Sequence, residues 1–360
     1  MSGAPILVTG GAGFIGSNIA DALASQGHSV LIYDSLARPG VERNLAWLKQ
    51  EHGGLIADVR ADIRDAHELR RAVDEAGAVF HMAAQVAVTT SLHDPREDFE
   101  INLGGTFNLL EALRRKGKST PVVFASTNKV YGDLADLTFE LVPDGYAPTD
   151  AAIRTHGISE ARSLDFHTPY GCSKGAADQY VLDYARSFGV PATVLRMSCI
   201  YGQRQMGTED QGWVAHFLIR ALKGEPITLY GDGLQVRDIL DVSNAVEAYL
   251  AAWRHIDRAA GRAFNLGGGP TNAVSLRTLI AEIGVLTGRE PDVRFADWRA
   301  GDQRYFIADT RASQEALGLG PKVPWRTGVA RLADWLDGEV GGTPHVAPAF
   351  GQPAARAAAL

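Results

Sequence analysis

Tyr170 and Lys174 stand four residues apart in Tyr170-Gly171-Cys172-Ser173-Lys174, a spacing that puts both on one face of a helix. A phenol beside an ammonium can act as a proton-transfer pair. Nearby positive charge favours phenolate, and drawing the phenol down from its ordinary value of about 10 makes a base usable at neutral pH. The pair alone arises often by chance. It gains meaning from a glycine loop far upstream, Thr9-Gly10-Gly11-Ala12-Gly13-Phe14-Ile15-Gly16. The loop follows an apolar run, Ile6-Leu7-Val8, and opens a segment with Phe14, Ile15, Ile19, Ala22 and Leu23 at helical spacing. Gly10 permits a tight turn, Gly13 lets the backbone approach a pyrophosphate, and Gly16 lets the helix pack close to the sheet. The helix N-terminus then faces the anion. In this context the loop, with Phe14 and Ile15, is expected to hold a dinucleotide.

Asp34 ends the next apolar run, Ser29 to Tyr33. A carboxylate there accepts the two adenosine-ribose hydroxyls and repels a 2′-phosphate, which favours NAD over NADP. Arg38 pulls slightly the other way, since a guanidinium can serve a phosphate. Asp62 and Ile63 follow a third run, Leu55 to Ala61, where the Asp could meet the adenine amine or simply cap a turn.

The elements that must position these groups alternate. Short apolar runs (Ala78 to Met82, Val122 to Ala125, Ala192 to Arg196) are separated by helical patterns such as Phe107 to Arg114 and Gly175 to Phe188. This predicts an α/β fold: a Rossmann-type, doubly wound parallel sheet over residues 1–200. A polar stretch at about 133–168 reads as a loop insertion over the site. Residues 201–340 read as a smaller α/β substrate-binding lobe with segments returning to the first domain, and 341–360 as a Gly-, Pro- and Ala-rich disordered tail. The net charge of -7 offers no basic stripe for nucleic acid. No apolar stretch is long enough to cross a bilayer, and the first one runs straight into the glycine loop rather than forming a signal peptide. Two cysteines, Cys172 and Cys199, suit a reducing cytoplasm and supply no disulfide framework. Neither has neighbours that would activate a thiolate, His81 and His167 read as packed or structural, and no cluster has metal-ligand spacing.

The motifs Thr-Gly-Gly-x-Gly-Phe-Ile-Gly, His81-Met82-Ala83-Ala84, Asn102-x-x-Gly105-Thr106, Ser126-Thr127-x-x-Val130-Tyr131-Gly132 and Tyr170-x-x-x-Lys174 occur in this order. Together they resemble the extended short-chain dehydrogenase/reductase family, the nucleotide-sugar epimerases and dehydratases, from Pro5 to about Leu336. The resemblance implies that Tyr170 is the general base, that Lys174 orients the nicotinamide ribose, and that Thr127 bonds the reacting oxygen. It adds Ala83, Ala84 and Asn102 to the NAD contacts. It also implies a homodimer through a four-helix contact.

Dehydratases of this family resemble one another in carrying Asp-Glu after the Thr. Here Asn128 and Lys129 stand there, and neither is the carboxyl group that elimination needs. What remains is hydride and proton transfer, the chemistry of an epimerase. Longer matches, Ser126 to Asp133, Leu164 to Tyr180 and Asp210 to Trp213, are similar to enzymes inverting C2 of a CDP-linked hexose. A UDP-sugar 4-epimerase is the alternative. A non-catalytic dinucleotide-binding regulator is a third reading, against which Thr127, Tyr170 and Lys174 argue. A nucleotide diphosphate needs cations, and Arg204, Arg237 and Arg299 are the candidates, each equally able to be a surface ion pair. Asn128, Gln205 and Trp213 complete the expected substrate set. Cys199 joins it at a position where many relatives have Asn or Ser, and a thiol is a weaker hydrogen-bonding partner.

Overall fold

The computed structural model describes residues 3–117, 119–299 and 301–341. The expected tail therefore lies outside the described residues except for Gly341, which ends a helix, Trp325–Gly341. Seven parallel strands form the main sheet, in the spatial order Ala263–Leu266, Ala192–Met197, Val122–Thr127, Ala78–His81, Ile6–Thr9, Val30–Asp34, Ile56–Arg60. Alternate residues of each strand go to opposite faces. Ile6, Val8, Val30 and Ile32 pack against the helices Phe14–Ser25, Val41–His52 and Val242–Arg254. Leu7, Leu31 and Tyr33 pack on the other face with Ala66–Glu75, Gly105–Lys116 and the long helix Thr168–Phe188. This is the doubly wound Rossmann-type sheet that the alternation predicts.

The chain beyond Tyr201 forms a second core, around helices Trp213–Lys223, Leu276–Thr287 and Trp325–Gly341. It is not a sequential block. Strand Ala263–Leu266 extends the main sheet, and helix Val242–Arg254, capped by Asp241, packs on the helix that follows the glycine loop.

Two features differ from expectation. The insertion at 133–168 contains a hairpin, Phe139–Val142 with Gly145–Pro148, and a helix, Ala151–His156, capped by Asp150. Phe139 and Ile153, apolar residues scattered in a polar stretch, dock it on Val236, Tyr305 and Ile307. None of residues 134–167 lines the dinucleotide cavity, so the insertion braces the second lobe instead of covering the site. The long helix starts at Thr168, seven residues before the expected Gly175, and so includes both Tyr170 and Lys174.

That helix is fixed by a buried ion pair. Asp178, fully buried, accepts from Arg196 Nε and Nη2, both at 2.9 Å, and from Ser126 Oγ at 2.7 Å. The third nitrogen, Arg196 Nη1, donates to the Tyr131 hydroxyl at 3.1 Å. Breaking such a pair strands a charge. Arg196→Met is expected to lower stability by about 3–5 kcal/mol in urea unfolding, and adding Asp178→Leu should recover only part of that loss, because Ser126 and the Lys174 ammonium also rely on that carboxylate.

Candidate functional site

Strand Ile6–Thr9 ends where Gly10 turns at φ 66°, so tight that a Cβ would sit 2.7 Å from the Ala83 nitrogen. A Cβ at Gly16 would run into the Gly10 carbonyl oxygen. Both glycines are therefore required by close approach. Gly13 is the N-cap of the helix, and no side chain caps it. The loop opens onto a cavity of about 710 Å³. Gly10, Gly13, Phe14, Ile15 and Gly16 line one part of it, Asp34, Arg38, Asp62 and Ile63 another, and Ala83, Ala84, Thr127, Tyr170 and Lys174 the rest. The shape and donor set fit a dinucleotide.

Asp34 lies at the end of its strand, with Oδ2 accepting from Ala12 N at 3.0 Å and Oδ1 from Leu36 N at 2.8 Å. Burial raises its pKa, and these backbone N–H groups oppose that. Each carboxylate oxygen has a second lone pair for a ribose hydroxyl. Asp62 takes the second of its two expected readings and caps the turn, its Oδ1 accepting from Arg64 N at 2.9 Å. Arg64 Nε and Nη2 grip its carboxylate at 2.9 and 2.7 Å and hold it below the usual carboxylate range, so the group expected to meet adenine is already partnered. Asn102 departs from expectation. It is 1% exposed behind the wall, accepting from Gln85 N and donating to Asp98 and Ser173. It holds up the residue next to Lys174 and does not line the cavity. Asp98, Gln85 and Ser173 were not singled out from sequence. The trace they leave is Asp98 and Asn102 one helical turn apart.

At the reacting end, Thr127, Tyr170 and Lys174 share one wall, and Lys174 Nζ sits 4.3 Å from the centre of the Phe124 ring. Burial dominates the electrostatics. It pushes Tyr170 up to about 12 against the lowering influence of Thr127, and it pulls Lys174 down to about 8. Thus Lys174 alone does not produce the lowered phenol expected from sequence; a bound cation in the cavity would have to contribute. His81 is buried between the Thr9 and Thr106 hydroxyls and pushed down to about 3 by burial and by Lys174, which makes it a neutral packed residue.

The expected substrate residues divide. Cys199, Gln205 and Trp213 line the cavity. Trp213 Nε1 donates to Cys199 Sγ at 3.3 Å, and burial raises the thiol, keeping it protonated. Gln205 donates to the Ile200 carbonyl, while its buried Oε1 has no partner among the described residues. The remaining four do not reach the wall. Arg204, at φ 69°, stacks on Trp47. Arg237 is paired with Asp302 at 2.6 Å. Arg299 lies over Tyr230 and donates to the Glu209 backbone at 3.1 Å. Asn128 donates to Gln303 Oε1 at 3.1 Å. Among the described residues one cluster has its ligand atoms close enough for a metal: Asp133, Asp165 and His167. There each imidazole nitrogen faces a different carboxylate, at 3.5 and 3.1 Å.

A model of the NAD dependent epimerase/dehydratase family matches residues 6–267. The chain is similar to the CDP-paratose 2-epimerase of Salmonella typhi, 42% identical over 339 residues that cover 92% of this chain and 98% of that one. It is 32% identical to the UDP-glucose 4-epimerase of Mycolicibacterium smegmatis, covering 92% and 97%. The solved structure of the Thermus thermophilus UDP-glucose 4-epimerase complex with NAD matches with a TM-score of 0.78 at 33% identity, covering 93% and 99%.

The buried ammonium of Lys174 opposes folding at neutral pH. Its folded pKa of about 8 lies below the ordinary 10.5, so the cost is full below pH 8 and fades as pH rises toward 10.5. Lys174→Met is expected to stabilise the NAD-free protein at pH 7 by roughly 2 kcal/mol in urea unfolding. The gain should shrink when the measurement is repeated at pH 10.

Proposed function

The chain belongs to the NAD dependent epimerase/dehydratase family, and from that premise we propose that it inverts C2 of a CDP-linked hexose by oxidation to a keto-sugar and re-reduction on the opposite face. NAD is the cofactor, and it supplies a hydride acceptor that returns the hydride within each turnover. The observation that carries the chemistry is the Thr127–Tyr170–Lys174 grouping on one cavity wall, with Asn128 and Lys129 directly after Thr127. Tyr170 takes the proton of the sugar hydroxyl, and Thr127 holds the oxygen as it becomes a carbonyl. Lys174 orients the cofactor ribose and supplies positive charge beside the phenolate. A positively charged nicotinamide ring would offset the burial that raises Tyr170. With Asn128 and Lys129 there, no carboxylic acid stands directly after Thr127 to protonate a leaving hydroxyl.

Glycine-loop residues 10, 13 and 16 with Phe14 and Ile15 hold the pyrophosphate end, and Asp34 the adenosine ribose. Cys199, Gln205 and Trp213 face the sugar nucleotide. Arg299 serves the diphosphate once it competes for that guanidinium with Glu209. The CDP-paratose 2-epimerase relative supports C2 and a cytidine nucleotide. A UDP-sugar 4-epimerase is the second reading, favoured by the Thermus thermophilus likeness. Both cysteines are free, which suits a reducing cytoplasm.

Incubation with CDP- and UDP-hexoses, read by NMR at C2 and C4, separates the two. The expected result is C2 inversion of a CDP-hexose without added NAD, lost by roughly a thousandfold in Tyr170→Phe. Inversion at C4 alone contradicts the first reading. The assembly we propose is a homodimer through the helices Gly105–Lys116 and Thr168–Phe188, which leave Phe107, Tyr180 and Phe188 about half exposed. Light scattering should give twice 38.6 kDa, and Phe107→Glu with Tyr180→Glu should give a monomer; a wild-type monomer contradicts it.

A further inference from the structure

Asn128 and Lys129 fill the two positions after Thr127, and both side chains meet one short segment of the second lobe. Lys129 Nζ donates to the Gly301 carbonyl at 3.2 Å, and Asn128 Nδ2 to Gln303 Oε1 at 3.1 Å. Gln303, fully buried, returns a bond from Nε2 to the Gly132 carbonyl, at the far end of the same turn. From the other side Arg237 grips Asp302 and the Gln303 carbonyl. The segment starts at Arg299. Its backbone closes back on that residue, with Asp302 N donating to the Arg299 carbonyl at 3.2 Å and Gly301 at φ 71°. Moving Gly301 therefore moves Arg299. On the catalytic side, the Lys129 backbone N–H donates to Thr127 Oγ1 at 3.2 Å.

We infer that Lys129 is a positioning residue: it fastens the segment bearing Arg299 to the turn bearing Thr127, and so sets the diphosphate-binding end at a fixed distance from the reacting hydroxyl. This rests on the reading that Arg299 serves the substrate diphosphate. An ammonium suits the task because a carbonyl oxygen accepts a charge-assisted bond strongly. A carboxylate at 129 would face the Gly301 carbonyl without a proton to give. Burial draws the Lys129 pKa down, Arg237 adds repulsion, and Asp302 and Asp133 oppose the shift. The ammonium is thus kept where it is unfavourable for its own stability.

The test uses the full chain with its bound NAD. In Lys129→Met, hydrogen–deuterium exchange should speed up in the peptide spanning 299–303 and stay unchanged in the glycine loop. With the sugar nucleotide that the wild type turns over, KM should rise about tenfold while kcat stays within about threefold. Lys129→Arg should restore most of the affinity. In an Arg299→Met background, Lys129→Met should add less than about twofold, because the two act through one segment. Unchanged exchange at 299–303, or the full tenfold KM effect without Arg299, overturns the inference. If the wild type turns over no sugar nucleotide, the substrate reading fails, and the exchange measurement still decides this one.

Discussion

Lys174 carries a positive charge into a site from which water is almost excluded, and two buried carboxylates make that position tolerable. Asp98 and Asp178 both act to raise its pKa, and the Phe124 ring offers its face to the ammonium. Neither carboxylate is free to wander. Asp98 accepts from Gln85, Asn102 and Ser173, while Asp178 accepts from Arg196, Ser126 and Gln179. The long helix is thereby bound to the sheet at strand Ala192–Met197 and to the segment after strand Ala78–His81. Tyr170, one turn before Lys174, takes its position from the same network.

The second lobe follows from this arrangement. Its core is separate, but strand Ala263–Leu266 and helix Val242–Arg254 are built into the first unit. Segment 301–303 meets the turn after Thr127 through side chains on both sides. The sugar nucleotide would lie between a wall fixed by the sheet and residues fixed to that wall by hydrogen bonds. The site is consequently stiff where hydride and proton must move, and its outer cations are already engaged with carboxylates before any ligand arrives.

The parts of the molecule legible in the sequence are those whose chemistry is local. The glycine loop could be read because turn, close approach and helix entry each demand glycine within eight residues. Asp34 was legible as the residue ending the next strand, and Tyr170 with Lys174 as one helical turn. What was missed depends on long-range pairing. Asn102 looked like a cofactor ligand, yet its partners Ser173 and Gln85 come from distant segments. Arg204 stacks on Trp47, a partner from a distant segment. The insertion at 133–168 was read as a loop because its few apolar residues follow no period; they are meant for Tyr305 and Ile307, far along the chain. Burial was the other hidden quantity: it reverses the expected effect on Tyr170, and composition cannot show it.

The central claim is that a hydride leaves one sugar carbon and returns to that same carbon without escaping. A sugar nucleotide carrying deuterium on the carbon to be inverted tests this directly, incubated in ordinary water with enzyme and no added NAD. Mass spectrometry and NMR of the inverted product should find the deuterium retained at that carbon. Replacement of the label by solvent hydrogen there would contradict the account, because it would mean that the centre is inverted by proton removal instead of by borrowed hydride.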